Sequence, residues 1–170
     1  MLWHPVYVGI GSNLDEPASQ VRRALAALAE LPQTRLVLTS SLYGSKPLGP
    51  AAQPDFINAV AGLLTQQAAG AFFGALRALE AGLGREPPRV RWGARRIDLD
   101  LLVFGAERLA GPELTLPHPG IVQRNFVLYP LSEVAPGLEV PGCGRVAELA
   151  ARAERAGIWR LDEKPITHDA

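Results

Sequence analysis

The chain has 170 residues, 48% of them hydrophobic, and balances 17 basic against 17 acidic side chains for a formal net charge of zero. That is enough chain for one well-formed core, and its neutrality gives no overall field to draw nucleic acid or an anionic membrane surface, so any electrostatic function is local. Cys143 is the only cysteine, which excludes an intramolecular disulfide and argues against a cysteine-based metal site. The opening "MLWHPVYVGIGSNL" lacks a charged leader and a long apolar stretch. No run approaches the length of a membrane span, so a single cytoplasmic domain over residues 1–170 is expected.

"PVYVGIG", residues 5 to 11, reads as a strand ending in glycines, and Asp15, Glu16 and Pro17 open a helix carrying Val21, Leu25, Leu28 and Leu31 at helical spacing. "GIGSN" superficially suggests a dinucleotide-binding turn, but Leu14 stands where the third glycine belongs, and that reading is rejected. Residues 35 to 43, "RLVLTSSLY", alternate as one strand. A Pro/Gly-rich loop over 44 to 54 leads to a second alternating strand, "FINAVAGLLT". Phe72, Leu76, Leu79 and Leu83 mark a helix that stops near Gly82 and Gly84, and after an irregular segment over 85 to 94 comes the strand "RRIDLDLLVFG". The order β-α-β-β-α-β predicts an α+β fold with a ferredoxin-like core: an antiparallel sheet with helices packed on it. Beyond about residue 106, helices are expected over "RNFVLYPLSEVA" and "RVAELAARAERA" as C-terminal additions.

The last core strand holds the chemistry. Alternation puts Asp98 and Asp100 on one face with Arg96, and Ile97, Leu99, Leu101 and Val103 on the other. The carboxylates are then roughly 6–7 Å apart at Cα and need a compensating positive charge. Just before them, "REPPRVRWGARR" holds Arg85, Arg89, Arg91, Arg95 and Arg96 against Glu86, a local charge of +4. Either some of these arginines pair with the aspartates, or the loop traps anions while the carboxylates hold Mg²⁺, which keeps waters and takes further ligands from phosphates. Phe56 and Asn58 share a strand face, where a ring and an amide could stack on and read a flat heterocycle. "HPGIVQRNF" supplies His118, Arg124 and Phe126, with His118 held between Pro117 and Pro119. His4, His168 and Cys143 lie outside any cluster.

Taken together, "YVGIGSNL", "PLGPAAQPDFINAV", "RWGARRIDLDLL" and "LPHPGIVQRNFVLYPLSEVAP" resemble, in that order, the 6-hydroxymethyl-7,8-dihydropterin pyrophosphokinase family, and the segment from Arg91 to Leu102 fits the family signature. The resemblance implies transfer of pyrophosphate from ATP to the hydroxymethyl oxygen of the pterin in folate biosynthesis. It also implies two Mg²⁺ ions on Asp98 and Asp100, with Arg85 and Arg95 as catalytic phosphate contacts. Glu80, Trp92, His118 and Arg124 join those arginines on the ATP side. Ser45, Pro47, Leu48, Phe56, Asn58 and Phe126 would form the pterin pocket. The chain departs from common family choices at Pro87, where some relatives have arginine, at Phe56, where tyrosine is common, and at Ala94, where proline is frequent. A monomer that binds only small molecules, neither nucleic acid nor membrane, is expected. Two rivals remain: another Mg²⁺-dependent phosphotransferase or nucleotide hydrolase acting on a different substrate, and a non-catalytic ligand-binding domain.

Overall fold

In β1, His4–Ser12, alternate residues Val6, Val8 and Ile10 are buried on one face, while Tyr7, Gly9 and Gly11 point to the other. The computed structural model describes residues 2–47, 52–84 and 96–161. Within them the chain runs β1, α1 (Pro17–Ala29), β2 (Thr34–Thr39), β3 (Tyr43–Ser45), β4 (Phe56–Thr65), α2 (Ala69–Gly82) and β5 (Asp98–Phe104). Two short ladders, β6 with β7 (Leu109–Ala110 and Thr115–Leu116) and β8 with β9 (Glu139–Val140 and Gly144–Arg145), surround α3 (Asn125–Val134). Helix α4 (Val146–Arg152) and strand β10 (Ile158–Arg160) follow. The main sheet has the order β10-β3-β4-β1-β5, with β2 also on β4, and the described pairings are antiparallel. Counting β2 and β3 as one interrupted strand, this is the expected β-α-β-β-α-β core.

Helices α1 and α2 cover one face of the sheet. Their Val21, Leu25, Leu28, Phe72 and Leu76 pack with Val6, Val8, Ile10, Leu99 and Leu101 in the larger apolar cluster. Helices α3 and α4 cover part of the opposite face through Val127, Leu128, Leu131, Val146 and Ala150, which pack on Val60, Leu102 and Val103. The remainder of that second face is left for a cleft.

Three sequence expectations are corrected. The strand expected over 35 to 43 is broken: Ser40 N still donates to Val60 O at 2.9 Å, but Val60 N donates to the Ser40 hydroxyl, also at 2.9 Å, instead of to a carbonyl. A side-chain oxygen thereby replaces a ladder rung and interrupts the strand. Val103 does not share a face with Leu99. The register between β1 and β5 slips between Tyr7 and Val8, so Leu102 and Val103 both turn toward α3 and Phe104 returns to the α2 side. Helix α4 is shorter than the pattern over 145 to 156, because the Asn125 amide captures the carbonyls of Glu154 and Ala156 at 2.9 and 3.0 Å. Gly157 then turns the chain at φ +73° into β10, which pairs with β3.

Candidate active site

The cleft has a floor without side chains. In the central strand β1, Gly9 and Gly11 are paired on one side with Asp100 and Asp98 of β5, and on the other with Val60 and Asn58 of β4. Directly opposed residues in antiparallel strands share a face. Two rows therefore cross the sheet, Asn58–Gly11–Asp98 and Val60–Gly9–Asp100, each with a hydrogen atom where other residues carry Cβ. A Cβ on Gly11 would stand 3.3 Å from Asn58 Oδ1, tighter than ordinary contact. The cleft above this floor measures about 230 Å³.

One end is apolar with a single well-held amide. Phe56, at the start of β4, and Phe126, in the first turn of α3, both line the cleft. Asn58, 4% exposed, donates through Nδ2 to Ser45 Oγ at 2.8 Å and more weakly to Tyr43 O at 3.4 Å. Its amide nitrogen is thus spent within the protein, and the carbonyl oxygen turns to the floor at Gly11 as an acceptor. Strand β3, which brings Ser45, lies between β4 and β10; the Trp159 indole covers Gly44 so closely that a Cβ there would meet it at 2.3 Å. Pro47 follows β3, half-buried, outside the cleft lining.

The other end is charged. Asp98 and Asp100 line the cleft with His118 and Arg124. The loop that presents His118 is pinned to β5 by its own N–H, which donates to Leu102 O at 2.8 Å. Its Nδ1 accepts from Gly120 N at 3.0 Å. Burial pushes the imidazole pKa below its ordinary 6.5; Arg124 pushes the same way, and Asp100 opposes both. The ring is therefore neutral at pH 7, and with Nδ1 occupied as an acceptor its proton sits on Nε2. Arg124 immediately precedes α3 and holds its guanidinium 5.9 Å from the Phe126 ring centre, linking the charged end to the aromatic one.

Eight of the predicted site residues, Ser45, Phe56, Asn58, Asp98, Asp100, His118, Arg124 and Phe126, thus come together around one cleft. Leu48, Arg85, Trp92 and Arg95 lie outside the described residues. Arg96, expected on the aspartate face, instead binds Asp15, with Nε and Nη2 both 2.9 Å from Asp15 Oδ2. Glu80 does not line the cleft. It is 2% exposed on α2, where its Oε2 accepts from Leu99 N at 2.7 Å and its Oε1 lies 3.1 Å from Arg77 Nη1. Sequence reasoning passed over the two floor glycines, although alternate glycines on one face of a strand are a signal of close approach by another group. It also passed over Lys46, a cleft residue whose ammonium sits 5.7 Å from the Trp159 ring centre and 3.4 Å from Asp55.

The family model for 7,8-dihydro-6-hydroxymethylpterin-pyrophosphokinase matches residues 7–136, a span that includes every described cleft residue. The chain belongs to this family. Among curated relatives, the 2-amino-4-hydroxy-6-hydroxymethyldihydropteridine pyrophosphokinase of Pseudomonas aeruginosa is 49% identical over 156 residues, covering 92% of this chain and 96% of its own. The Haemophilus influenzae protein of the same name is 43% identical over 143 residues, covering 84% and 89%. Among solved structures, an HPPK-DHPS in complex with substrates superposes with a TM-score of 0.69 at 9% identity over 89% of this chain. The wild-type Plasmodium falciparum HPPK-DHPS with pteroate gives 0.68 at 12% identity over 88%. These structural likenesses speak to the fold. The chain spans 43% and 42% of those two longer chains.

Proposed function

We propose that the chain transfers the β,γ-pyrophosphoryl group of ATP to the hydroxymethyl group of 6-hydroxymethyl-7,8-dihydropterin, a step of folate biosynthesis. The hydroxymethyl oxygen attacks Pβ, the bond from Pβ to the α,β-bridging oxygen breaks, AMP leaves with that oxygen, and the hydroxyl proton is released. The observation that carries this reading is the cleft itself, with two rings and an inward carbonyl at one end and two carboxylates, an arginine and a neutral histidine at the other. A heterocycle held at the first end directs its substituent toward phosphates held at the second.

Each side chain then has a task. Phe56 and Phe126 offer ring faces to the pterin, and Asn58 Oδ1 accepts a hydrogen bond from its edge. The Arg124 guanidinium offers a planar pair of donors to phosphate oxygens, and His118 Nε2–H offers a neutral one. Arg85, Arg95 and Trp92 are assigned to the ATP side, and Pro47 and Leu48 to the rim of the pterin pocket. Holding both substrates in one cleft supplies most of the catalysis through orientation.

Asp98 and Asp100 suit Mg²⁺. Among the described residues no group of three or more histidine, cysteine or acidic side chains gathers into a complete metal cage. Two hard carboxylates alone fit an ion that keeps waters and completes its shell with substrate phosphates. We assign two such ions to them; when bound, they offset phosphate charge and favour the deprotonated hydroxyl. Among the described residues no helix is long and apolar enough to cross a membrane. We assign the activity to a monomer in the cytoplasm.

The test is incubation with ATP, Mg²⁺ and the pterin, followed by separation of the nucleotides. AMP formed only when the pterin is present supports the reading. ADP, or unchanged ATP despite pterin binding, overturns it in favour of an ordinary kinase or a binding domain.

A further inference from the structure

We propose that Arg77 and Glu80, one turn apart on α2, are positioning residues that hold the Leu99 peptide edge and thereby aim Asp98 and Asp100 into the cleft. This rests on the metal-assisted transfer described above only for its catalytic consequence. Strand β5 ends the sheet, with β1 as its only strand partner among the described residues. The aspartates sit opposite Gly11 and Gly9 in the β1 ladder, and Leu99 between them turns its N–H and C=O the other way. At that outer edge the Leu99 N–H donates to Glu80 Oε2 at 2.7 Å, and Arg77 Nη2 donates to Leu99 O. Glu80 Oε1 and Arg77 Nη1 close the ring at 3.1 Å. Two side chains thus take the place of a missing strand, one accepting and one donating. The Arg77 guanidinium is further held over the Phe73 ring, 4.9 Å from its centre.

Stability alone does not call for this arrangement. The same face of α2 buries Phe72 and Leu76, and apolar side chains at positions 77 and 80 together would avoid desolvating an ion pair. What the charged pair adds is direction. Planar peptides on both sides of Leu99 link its fixed N–H and C=O to the two neighbouring Cα atoms. With the edge held, Asp98 and Asp100 leave the strand at set angles despite their mutual repulsion; with the edge free, strand β5 can tilt and separate them.

The test compares Glu80→Leu, Glu80→Gln and Arg77→Met with the unaltered protein by three readouts. The first is exchange of the Leu99 amide hydrogen in the ligand-free protein. The second is Mn²⁺ affinity measured with an ATP analogue carrying a methylene bridge between Pα and Pβ. The third is pterin affinity. The expected result for Glu80→Leu is faster Leu99 exchange, a lower melting temperature because the Leu99 N–H and Arg77 lose a buried partner, Mn²⁺ affinity lower by about 10–100-fold, and unchanged pterin affinity. Glu80→Gln keeps an acceptor for the Leu99 N–H and should recover much of the loss. Unchanged Mn²⁺ affinity, with or without faster exchange, overturns the proposal, as does a loss of Mn²⁺ affinity matched by an equal loss of pterin affinity, which marks general loosening of the cleft. Should Glu80→Leu fail to fold, Arg77→Met decides by the same criteria. Exchange and Mn²⁺ binding read the clamp even if no AMP is formed, so its failure is distinct from failure of the transfer reaction.

Discussion

Asn58 and Asp98 stand in a single row across three strands with only Gly11 between them. By strand spacing their Cα atoms are roughly 10 Å apart. In the proposed transfer, that gap is the distance across which a heterocycle at the amide would present its substituent to a phosphate near the carboxylate. The row therefore sets a ruler for the substrate.

Filling the ruler's midpoint should separate binding from folding. Gly11→Val puts a branched side chain where even a Cβ stands 3.3 Å from Asn58 Oδ1. Overpacking of about 1–3 kcal/mol should fall on the ligand, weakening pterin affinity by roughly 5- to 150-fold in equilibrium titration. Unchanged affinity would show that the pterin does not lie over Gly11.

Removing one carboxylate should strike the chemical step. Asp98→Ala is expected to lower kcat by about a thousandfold, equivalent to ~4 kcal/mol of transition-state stabilisation. Pterin affinity, measured alongside, should hold because Phe56, Asn58 and Phe126 are untouched. Near-normal turnover would sink the metal assignment.

His118 makes a prediction about acid. Its folded pKa lies below 6.5, so as pH falls the unfolded chain takes up this proton first. Stability associated with the neutral ring is complete above pH 6.5 and is lost as pH falls from there through the folded pKa. His118→Gln should flatten this part of a stability-versus-pH curve, and an imidazole NMR titration should place the midpoint below 6.5. A midpoint at or above that value would remove the basis for a neutral Nε2–H donor.

Glu133 should carry stability more than chemistry. Its carboxylate accepts from Ser41 N at 2.9 Å, Ser41 Oγ at 3.1 Å and Tyr43 OH at 2.6 Å, tying α3 to the break between β2 and β3. Burial, and then the carboxylate itself, push the Tyr43 phenol pKa well up. Glu133→Ala leaves these donors in search of partners and should cost about 2–3 kcal/mol in urea denaturation. A cost below about 0.5 kcal/mol would mean that water replaces the carboxylate without penalty.

Local pattern made much of this molecule legible. Alternation in β1, β4 and β5 and the helical spacing of Val21, Leu25, Leu28, Phe72 and Leu76 gave the core order, because burial on one face imposes a period that a reader can see. Asp98, Asp100 and Asn58 stood out as polar residues within strand patterns. The break at Ser40 was not legible, since a hydroxyl replacing a carbonyl leaves the apolar alternation intact. The slip beside Leu102 was hidden for a related reason: both faces at that point are apolar, so a shift of one residue changes which cluster is filled and not the composition. Glu80 was noticed only through family resemblance, and its bonds to Leu99 and Arg77 depend on how α2 is set against β5, which spacing along one element does not reveal.

Strand β10 has a consequence for the order in which the site is completed. Residues 158–160 pair with residues 43–45, more than a hundred positions earlier, and Trp159 closes over Gly44. Strand β3 lies between β4 and β10, and its Ser45 hydroxyl accepts from the Asn58 amide at 2.8 Å. The amide end of the cleft is therefore fixed from both sides only once segments more than a hundred residues apart have met, a closure of high sequence separation that the β1–β4 and β1–β5 pairings beneath the glycine floor do not wait for.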